Sequence, residues 1–432
     1  MHPKILIVMT TPYSTSDSSR TLDSYFHFWE KDRVAQIFSR NWIPNKGHCA
    51  EMYQITDASL LKKWLHKPGE VGKIYTYEEM REQNGNEQIQ DNSTAGLYKI
   101  GGMHSPMIEL LRGALWKKKY WCTEKLVKWL DDFKPECIVY NFSNHLFTQQ
   151  IALYAAKRFN IPVIAIIGDD YYFNDRFSLS PAYWLFRRKF KKLTEQILSG
   201  NASAVYCSDK IRDKYNEYFH ISGETIYVTS SIARREFREI NRKLPRFVYF
   251  GSIRLGRNQA LCEIATALGE IDASYKLEVY SNENDESICE CLKSHANVYY
   301  GGALPYKEVE RKILESDVFV IAEGFRKEDI NFTRYSLSTK AADGLACGTS
   351  ILTYGPSESG VVEYMQATEA SMVCSNQAEL KNDIFELLNN TELQRHYYDK
   401  AILVSQKNHT LESTTAIFDA VVDKAIRKGY EK

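Results

Sequence analysis

The sequence predicts an α/β protein built as two doubly wound domains with parallel sheets, and three observations carry that prediction. The chain has 432 residues, whereas single hydrophobic cores stop growing near ~250–300 residues. In the second half, short β-branched or aromatic runs alternate regularly with segments of helical apolar spacing. The first half repeats the alternation less cleanly. Strands that alternate with helices pair in parallel, because parallel neighbours need a crossover.

Taken in order, the first half reads as strands at 4–9, 137–141, 161–167, 202–207 and 225–229, with helices at 125–132, 145–159, 181–198 and 209–219. The stretch 10–111 has weak periodicity and Asn- and Gln-rich turns at 83–92, and reads as insertions. The charged, apolar-poor segment 234–244 ends before Pro245 and reads as a linker. The second half reads as strands at 246–251, 276–280, 297–300, 317–322, 350–354 and 370–374. Helices at 259–268, 286–292, 306–314, 339–346 and 360–365 fall between them. Helices at 377–388 and 392–406 finish this domain, and a last helix covers 411–427 with an apolar stripe of Ile417, Val421, Val422, Ala425 and Ile426. The expected domains are therefore 1–240, 245–410 and a C-terminal helix at 411–432.

Composition narrows the function. Hydrophobic residues at 44% and charged residues at 25% are the balance of a folded chain. Lys and Arg number 55, as do Asp and Glu, so no global charge favours nucleic acid. Nine cysteines without framework spacing read as free thiols, and Cys289-x-Cys291 has no His pair to complete a zinc set. The apolar run 5–9 is too short for a signal-peptide core, and no window approaches the ~20 apolar residues of a membrane span. A cytoplasmic protein is the expectation.

Open α/β sheets bind ligands beyond the carboxyl ends of their strands, so the loops after the strands carry the candidates. Gly251-Ser252-Ile253-Arg254-Leu255-Gly256-Arg257-Asn258 has the outline of a phosphate-binding loop. It has Arg257 and Asn258 where such a loop has its Lys and its metal-binding hydroxyl. A glycine turn with a cation at a helix start suits a diphosphate held without a metal. Further on, Ser338-Thr339-Lys340-Ala341-Ala342-Asp343 opens a helix that Gly348 closes. Capping explains the hydroxyls and the glycine, but a Lys in the first turn opposes the helix dipole. Its placement predicts an anion site, with Asp343 one turn along to reach a sugar diol. In the first half, Gly168-Asp169-Asp170 follows a strand and could hydrogen-bond an acceptor hydroxyl or merely build a polar turn. His145 begins a helix and is a weaker candidate, and His104 weaker still. Trp116–Trp121 and Arg187–Lys192 mix cations with aromatics, as an anionic membrane surface or a solvated helix face would.

The segment 247–373 resembles the donor domain of GT-B glycosyltransferases, most of all glycosyltransferase family 4 of the bacterial surface-polysaccharide type. The resemblance rests on Gly251 with Arg257, on Glu323-Gly324-Phe325, and on Ser338, Lys340 and Asp343-Gly344-Leu345-Ala346-Cys347-Gly348. It implies two Rossmann-like domains facing across a cleft, an acceptor-binding first domain and a nucleotide-sugar-binding second, with the last helix, 411–432, packing back on the first domain. The implied activity is a retaining, metal-independent hexosyl transfer from a nucleotide-sugar to a glycan or lipid-linked glycan, in capsule or O-antigen synthesis. The nucleotide-sugar is a substrate, and neither cofactor nor metal is expected. The absence of any Asp-x-Asp agrees with that. The carried-over catalytic set is Arg257, Lys340, Glu323 and Asp169. Donor binding falls to Gly251, Ser252, Arg257, Ser338, Thr339, Lys340 and Asp343, and acceptor binding to Asp169, Asp170 and His145. The family's Glu-x7-Glu pair would fall at 335 and 343, where this chain has Tyr335 and Asp343. The first contact to the donor sugar is thus not carried over at its own place; either Glu323 supplies it or Arg334 reorganises the site. Peripheral contact with the inner face of a membrane is a further expectation. Two other readings stand beside this one, a non-hydrolysing nucleotide-sugar epimerase on the same fold and a non-catalytic nucleotide- or glycan-binding protein.

Overall fold

A computed structural model describes residues 1–13, 20–45, 48–82, 106–175, 177–199 and 202–430; the turns expected at 83–92, and His104, lie outside them. The chain forms two compact units, Met1–Ile226 with Thr415–Lys432, and Tyr227–Thr414.

The first unit holds an eight-stranded sheet of β1 (Ile5–Val8), β2 (Val34–Phe38), β3 (Glu51–Gln54), β4 (Lys73–Thr76), β5 (Cys137–Asn141), β6 (Val163–Ile167), β7 (Ser203–Tyr206) and β8 (Ser222–Thr225). Its order is β4-β3-β2-β1-β5-β6-β7-β8, and only the β3–β4 pair is antiparallel among those described. Three of these strands lie in the stretch that reads as insertions. β2 is hidden from a periodicity reading because it is buried on both faces yet carries Gln36. The Gln36 amide is satisfied locally, accepting from the Tyr13 amide at 2.6 Å and donating to the Thr11 carbonyl at 2.9 Å. β8 also lies earlier than the strand expected at 225–229.

The last helix, Leu411–Tyr430, supplies Phe418, Val421, Val422 and Ala425 to the core of the first unit. The Phe418 ring stacks on Tyr25 at 4.9 Å and meets Phe26 edge-on at 5.0 Å. Trp29 Nε1 donates to Asp419 across 2.9 Å. Ile417 is not part of the buried stripe; it is 38% exposed, and Phe418 takes its place.

The second unit holds β9 (Arg246–Phe250), β10 (Lys276–Tyr280), β11 (Val298–Gly302), β12 (Val318–Ala322), β13 (Ser350–Tyr354) and β14 (Met372–Cys374). All its pairs are parallel in the order β11-β10-β9-β12-β13-β14. Alternate residues feed two cores: Phe247, Tyr249, Val320 and Leu352 on one face, Val248, Phe250, Phe319, Ile321 and Ile351 on the other. Burial on both faces explains the continuous apolar runs that betray these strands in the sequence. The order reverses between β9 and β12, so the crevice for a ligand opens at their carboxyl ends.

The division of the chain falls after Ile226, not within 234–244. That segment is strapped onto the second unit by arginines that meet carbonyls at helix ends. Arg235 Nη1 donates to Leu314 and Ser316 carbonyls at 3.1 and 2.6 Å, and its Nε to Gly348 at 3.2 Å. Arg234 Nη2 donates to the Leu345 carbonyl at 2.8 Å. Carbonyls in the last turn of a helix lack internal partners and carry partial negative charge, which guanidinium groups offset. Charge that reads as a solvated linker is here the fastening.

Candidate functional site

The site is assembled at the carboxyl ends of β9 and β12. After β9 the chain turns at Gly251, whose φ is +117°. A Cβ there would lie 2.6 Å from Lys340 Cε, so the stem of Lys340 packs directly on the Gly251 backbone. Lys340 Nζ donates to the Tyr249 hydroxyl at 2.9 Å and stands 4.6 Å from the centre of its ring. The same hydroxyl donates to the Ser252 carbonyl at 2.5 Å, which turns its lone pairs toward the ammonium. No carboxylate is within ion-pairing distance of Lys340 among the described residues. Loss of hydration, followed by the like charge of Arg257, pushes its pKa down to about 7, with Glu323 opposing.

The loop then places Leu255 and Gly256 in the left-handed region, with φ of +57° and +70°. Gly256 caps the helix Arg257–Ile271 without any side-chain bond. Arg257, in its first turn, forms a two-pronged bond with Glu323 at 3.0 and 3.1 Å, and Glu323 is 2% exposed. Glu323 follows directly on β12 and is thus brought beside both cations.

Between Glu323 and the second motif lies a helix that the sequence pattern does not show, Lys327–Thr333. Its Asp329 is buried and paired with Arg326 at 2.7 and 3.0 Å. A Cβ on Gly256 would sit 2.5 Å from Asp329 Oδ2, so this carboxylate rests on the amino end of the helix Arg257–Ile271. A helix N-terminus attracts negative charge, and here the insert supplies it. Seven residues are too few for periodicity to reveal such a helix.

The helix Thr339–Cys347 begins at Ser338, and no side chain caps it. Ser338 is half-buried and Thr339 exposed. Its first-turn amides and Lys340 therefore form one positive region next to Gly251. Asp343, one turn along, is buried and accepts from Ser230 Oγ at 2.7 Å. Tyr249 and Ser230 are the members that the sequence pattern misses. Nothing but adjacency to a glycine turn marks the first, and the second comes from the chain just before the strap. Ser252 closes the loop, its Oγ accepting from the Arg254 amide at 3.3 Å.

In the first unit, the structure spends the candidate groups differently. Asp170 is buried and accepts from the Tyr215 hydroxyl and Phe173 amide, both at 2.9 Å, and from Lys214 at 3.2 Å. It builds the turn after β6. Asp169 is half-buried and accepts from the Tyr171 hydroxyl at 3.1 Å. His145 Nδ1 lies 3.1 Å from the buried Glu109 and 3.4 Å from Arg112, which in turn pairs with Asp57 at 3.0 Å. His145 thus belongs to a charge network. Of the aromatic–cationic stretches, Trp116 and Trp121 are core residues. Trp116 stacks on Phe147 at 4.0 Å. Arg187 is also buried, held by Asp175 at 2.6 Å and by the carbonyls of Tyr171 and Tyr172. Among the described residues no cluster of His, Cys, Asp and Glu suits a metal, and no helix is long and apolar enough to cross a membrane.

No protein-family model matches the sequence, and no curated protein matches it either. Solved structures do. HepE of Anabaena, in complex with UDP-glucose, superposes with a TM-score of 0.55 at 11% identity, over 98% of this chain and 100% of that one. Sucrose-phosphate synthase of Thermosynechococcus elongatus gives 0.54 at 11% identity, over 96% and 97%. TarM gives 0.50 at 14% identity over 69% of this chain, which spans 57% of TarM's length. These neighbours are GT-B glycosyltransferases, and the fold of this chain is GT-B.

Proposed function

We propose that the protein transfers a sugar from a nucleotide-sugar to a hydroxyl acceptor. The observation that carries this is Lys340, an enclosed ammonium without a carboxylate partner among the described residues, set between an uncapped helix start and Gly251. Such an arrangement suits a diphosphate. HepE's complex with UDP-glucose supports a sugar of that class as donor.

The chemistry follows from where charge grows. Breaking the bond between the anomeric carbon and the diphosphate leaves negative charge on the departing phosphate oxygen. Lys340, Arg257 and the amides of Ser338 and Thr339 would meet it there. Fixed positive groups in a site of low polarity lower a barrier more than they would in water. This proposal needs no metal. Arg257 is held by Glu323 in the resting state, so an incoming phosphate competes for the guanidinium and releases the carboxylate. Glu323 is then available to hold a hydroxyl of the donor sugar, the role vacated at Tyr335. Asp343 would bind the ribose diol, and Asp169 an acceptor hydroxyl. By the family resemblance the transfer is of a hexose with retained configuration. The acceptor is a glycan or lipid-linked glycan of a bacterial surface polysaccharide, and the protein works in the cytoplasm at the membrane's inner face.

Incubation with a panel of nucleotide-sugars, with and without glycan acceptors, tests the reading. Release of nucleoside diphosphate that depends on acceptor supports it. Interconversion of sugars without acceptor identifies an epimerase, and nucleotide binding without turnover a binding protein.

A further inference from the structure

The first unit carries an exposed apolar edge that its core does not explain. Phe177 and Leu179, in the loop before the helix Pro181–Ile197, are 87% and 86% exposed. Trp184 and Leu185 follow in the first turn of that helix, and both are about half exposed. The helix Pro106–Leu115 packs against Pro181–Ile197. It adds Met107 and Leu111, at 58% and 66% exposure, on its outward stripe.

The loop is tied to the helix. Trp184 Nε1 donates to the Ser178 carbonyl at 2.8 Å, which holds the tip that carries Phe177 and Leu179. The bond has a second consequence: the indole has no unpaired donor to desolvate, so it can enter an apolar layer without that cost.

Charge supplies the identity of the partner. On the same outward face, one and two turns beyond Trp184 and Leu185, stand Arg188, Lys189 and Lys192, all exposed. Among the described residues none of the three has a carboxylate partner, whereas the inward cations Arg187 and Lys191 share Asp175. Apolar side chains at the leading end and long cationic ones behind form the pattern of a helix that rests in a lipid headgroup layer, its cations reaching back to phosphate.

We infer that this edge, Phe177, Leu179, Trp184 and Leu185 with Arg188, Lys189 and Lys192, docks the protein on an anionic lipid surface. The inference keeps Arg188, Lys189 and Lys192 of the expected membrane contact, drops the buried Trp116, Trp121 and Arg187, and adds the apolar tip before them. It deepens the proposed function by placing the first unit where a lipid-linked acceptor is embedded. It rests on the surface alone, so it stands or falls separately from the donor site.

The test is co-sedimentation of the full chain with phosphatidylglycerol-containing and with pure phosphatidylcholine vesicles. Wild type should sediment with the anionic vesicles, less so as salt rises. Each cation near such a surface is worth about five-fold in partition, so Arg188→Gln/Lys189→Gln/Lys192→Gln should lose roughly 100-fold. Phe177→Ser/Leu179→Ser/Trp184→Ser should also release the protein, while melting and nucleoside-diphosphate binding stay at wild-type values in both variants. Failure of wild type to bind anionic vesicles at low salt overturns the inference, as does wild-type partition in either variant. Equal binding to an acidic polypeptide, lost in the cation variant alone, would assign the face to a protein instead.

Discussion

The carboxyl ends of the two sheets carry opposite charge, and they treat it in opposite ways. Beyond β9 and β12 two half-buried cations crowd together, and one of them, Lys340, has no carboxylate of its own among the described residues. Beyond β6, one strand away from the reversal of its own sheet between β1 and β5, stand two adjacent carboxylates, but Asp170 is surrounded by donors from its own unit. A charged residue at a sheet's carboxyl edge is therefore not in itself a sign of a ligand. What distinguishes the two edges is whether the fold already supplies the counter-charge. The second unit leaves a positive region for something else to complete, and the first completes Asp170 itself.

The largest effect should come from the uncompleted charge. Lys340→Ala should lower turnover about 100–1,000-fold, as the loss of one preorganised electrostatic donor does. Donor affinity should fall much less, because the phosphate charge that Lys340 meets is greatest in the transition state. Single-turnover kinetics at saturating donor separates the two. Turnover within two-fold of wild type would mean that Lys340 faces nothing but Tyr249, and the contrast between the edges would collapse.

The completed edge should respond in stability instead. Asp170→Ala leaves the Tyr215 hydroxyl without its acceptor in a buried setting, which costs about 2–3 kcal/mol. Melting followed by circular dichroism should show the first unit weakened, with kcat/KM of the remaining folded protein within three-fold of wild type. A raised acceptor KM with unchanged melting would return Asp170 to the binding site.

Much of this contrast is legible in the residue types and their order. A Lys in the first turn of a helix, against the dipole, marks Lys340, and the glycine turn marks Gly251 and Arg257. The central strands β9, β12 and β13 of the second sheet are legible because they are buried on both faces, whereas β10 and the edge strand β11 show themselves only by their place in the alternation. The other elements fail for physical reasons. β2 carries a buried Gln36 whose partners, Tyr13 and Thr11, come from another loop. The helix Lys327–Thr333 is shorter than two full turns. The strap of Arg234 and Arg235 looks solvated, since its acceptors are backbone carbonyls that no sequence pattern displays. Asp169 and Asp170 look alike in sequence, and only their neighbours tell them apart.

A third measurement uses pH. The Lys340 ammonium titrates at about 7 in the unliganded protein, against an ordinary value of 10.5. A lowered lysine costs stability while both states are charged, and that cost is relieved as pH rises from 7 toward 10.5. A bound diphosphate favours the charged form and raises the value again. Binding therefore takes up a proton above pH 7, and affinity for a nucleoside diphosphate should fall about five-fold between pH 7 and 8. Stability of the free protein and affinity for the ligand thus have opposite slopes from one group. Calorimetry in buffers of different ionisation enthalpy counts the proton. In Lys340→Arg, which stays charged, the dependence should vanish; a profile that persists there assigns the titration elsewhere.

The smallest effect sharpens the comparison most, because Asp343 lies between the two cases. It is a buried carboxylate at the second edge, yet the chain just before the strap already gives it one donor, Ser230. If that bond merely completes it, as Tyr215 completes Asp170, Asp343→Ala will weaken the fold and leave nucleotide affinity alone. If it also serves a ribose hydroxyl, the variant will bind a nucleoside diphosphate about five- to ten-fold more weakly, the net worth of one typical hydrogen bond that replaces one to water. Turnover at saturation should then stay within two-fold, since the ribose contact is equal in ground and transition states. The 2′-deoxy nucleotide supplies the control. Wild type should prefer the ribonucleotide, and Asp343→Ala should bind both alike. Ser230→Ala separates the roles further: it removes one internal donor and leaves the carboxylate with more accepting capacity. Affinity for the ribonucleotide should hold or improve in that variant, while Asp343→Ala/Ser230→Ala should match Asp343→Ala. Equal loss of affinity in both single variants would show that Ser230 and Asp343 act only as a structural pair, and the ribose assignment would fail.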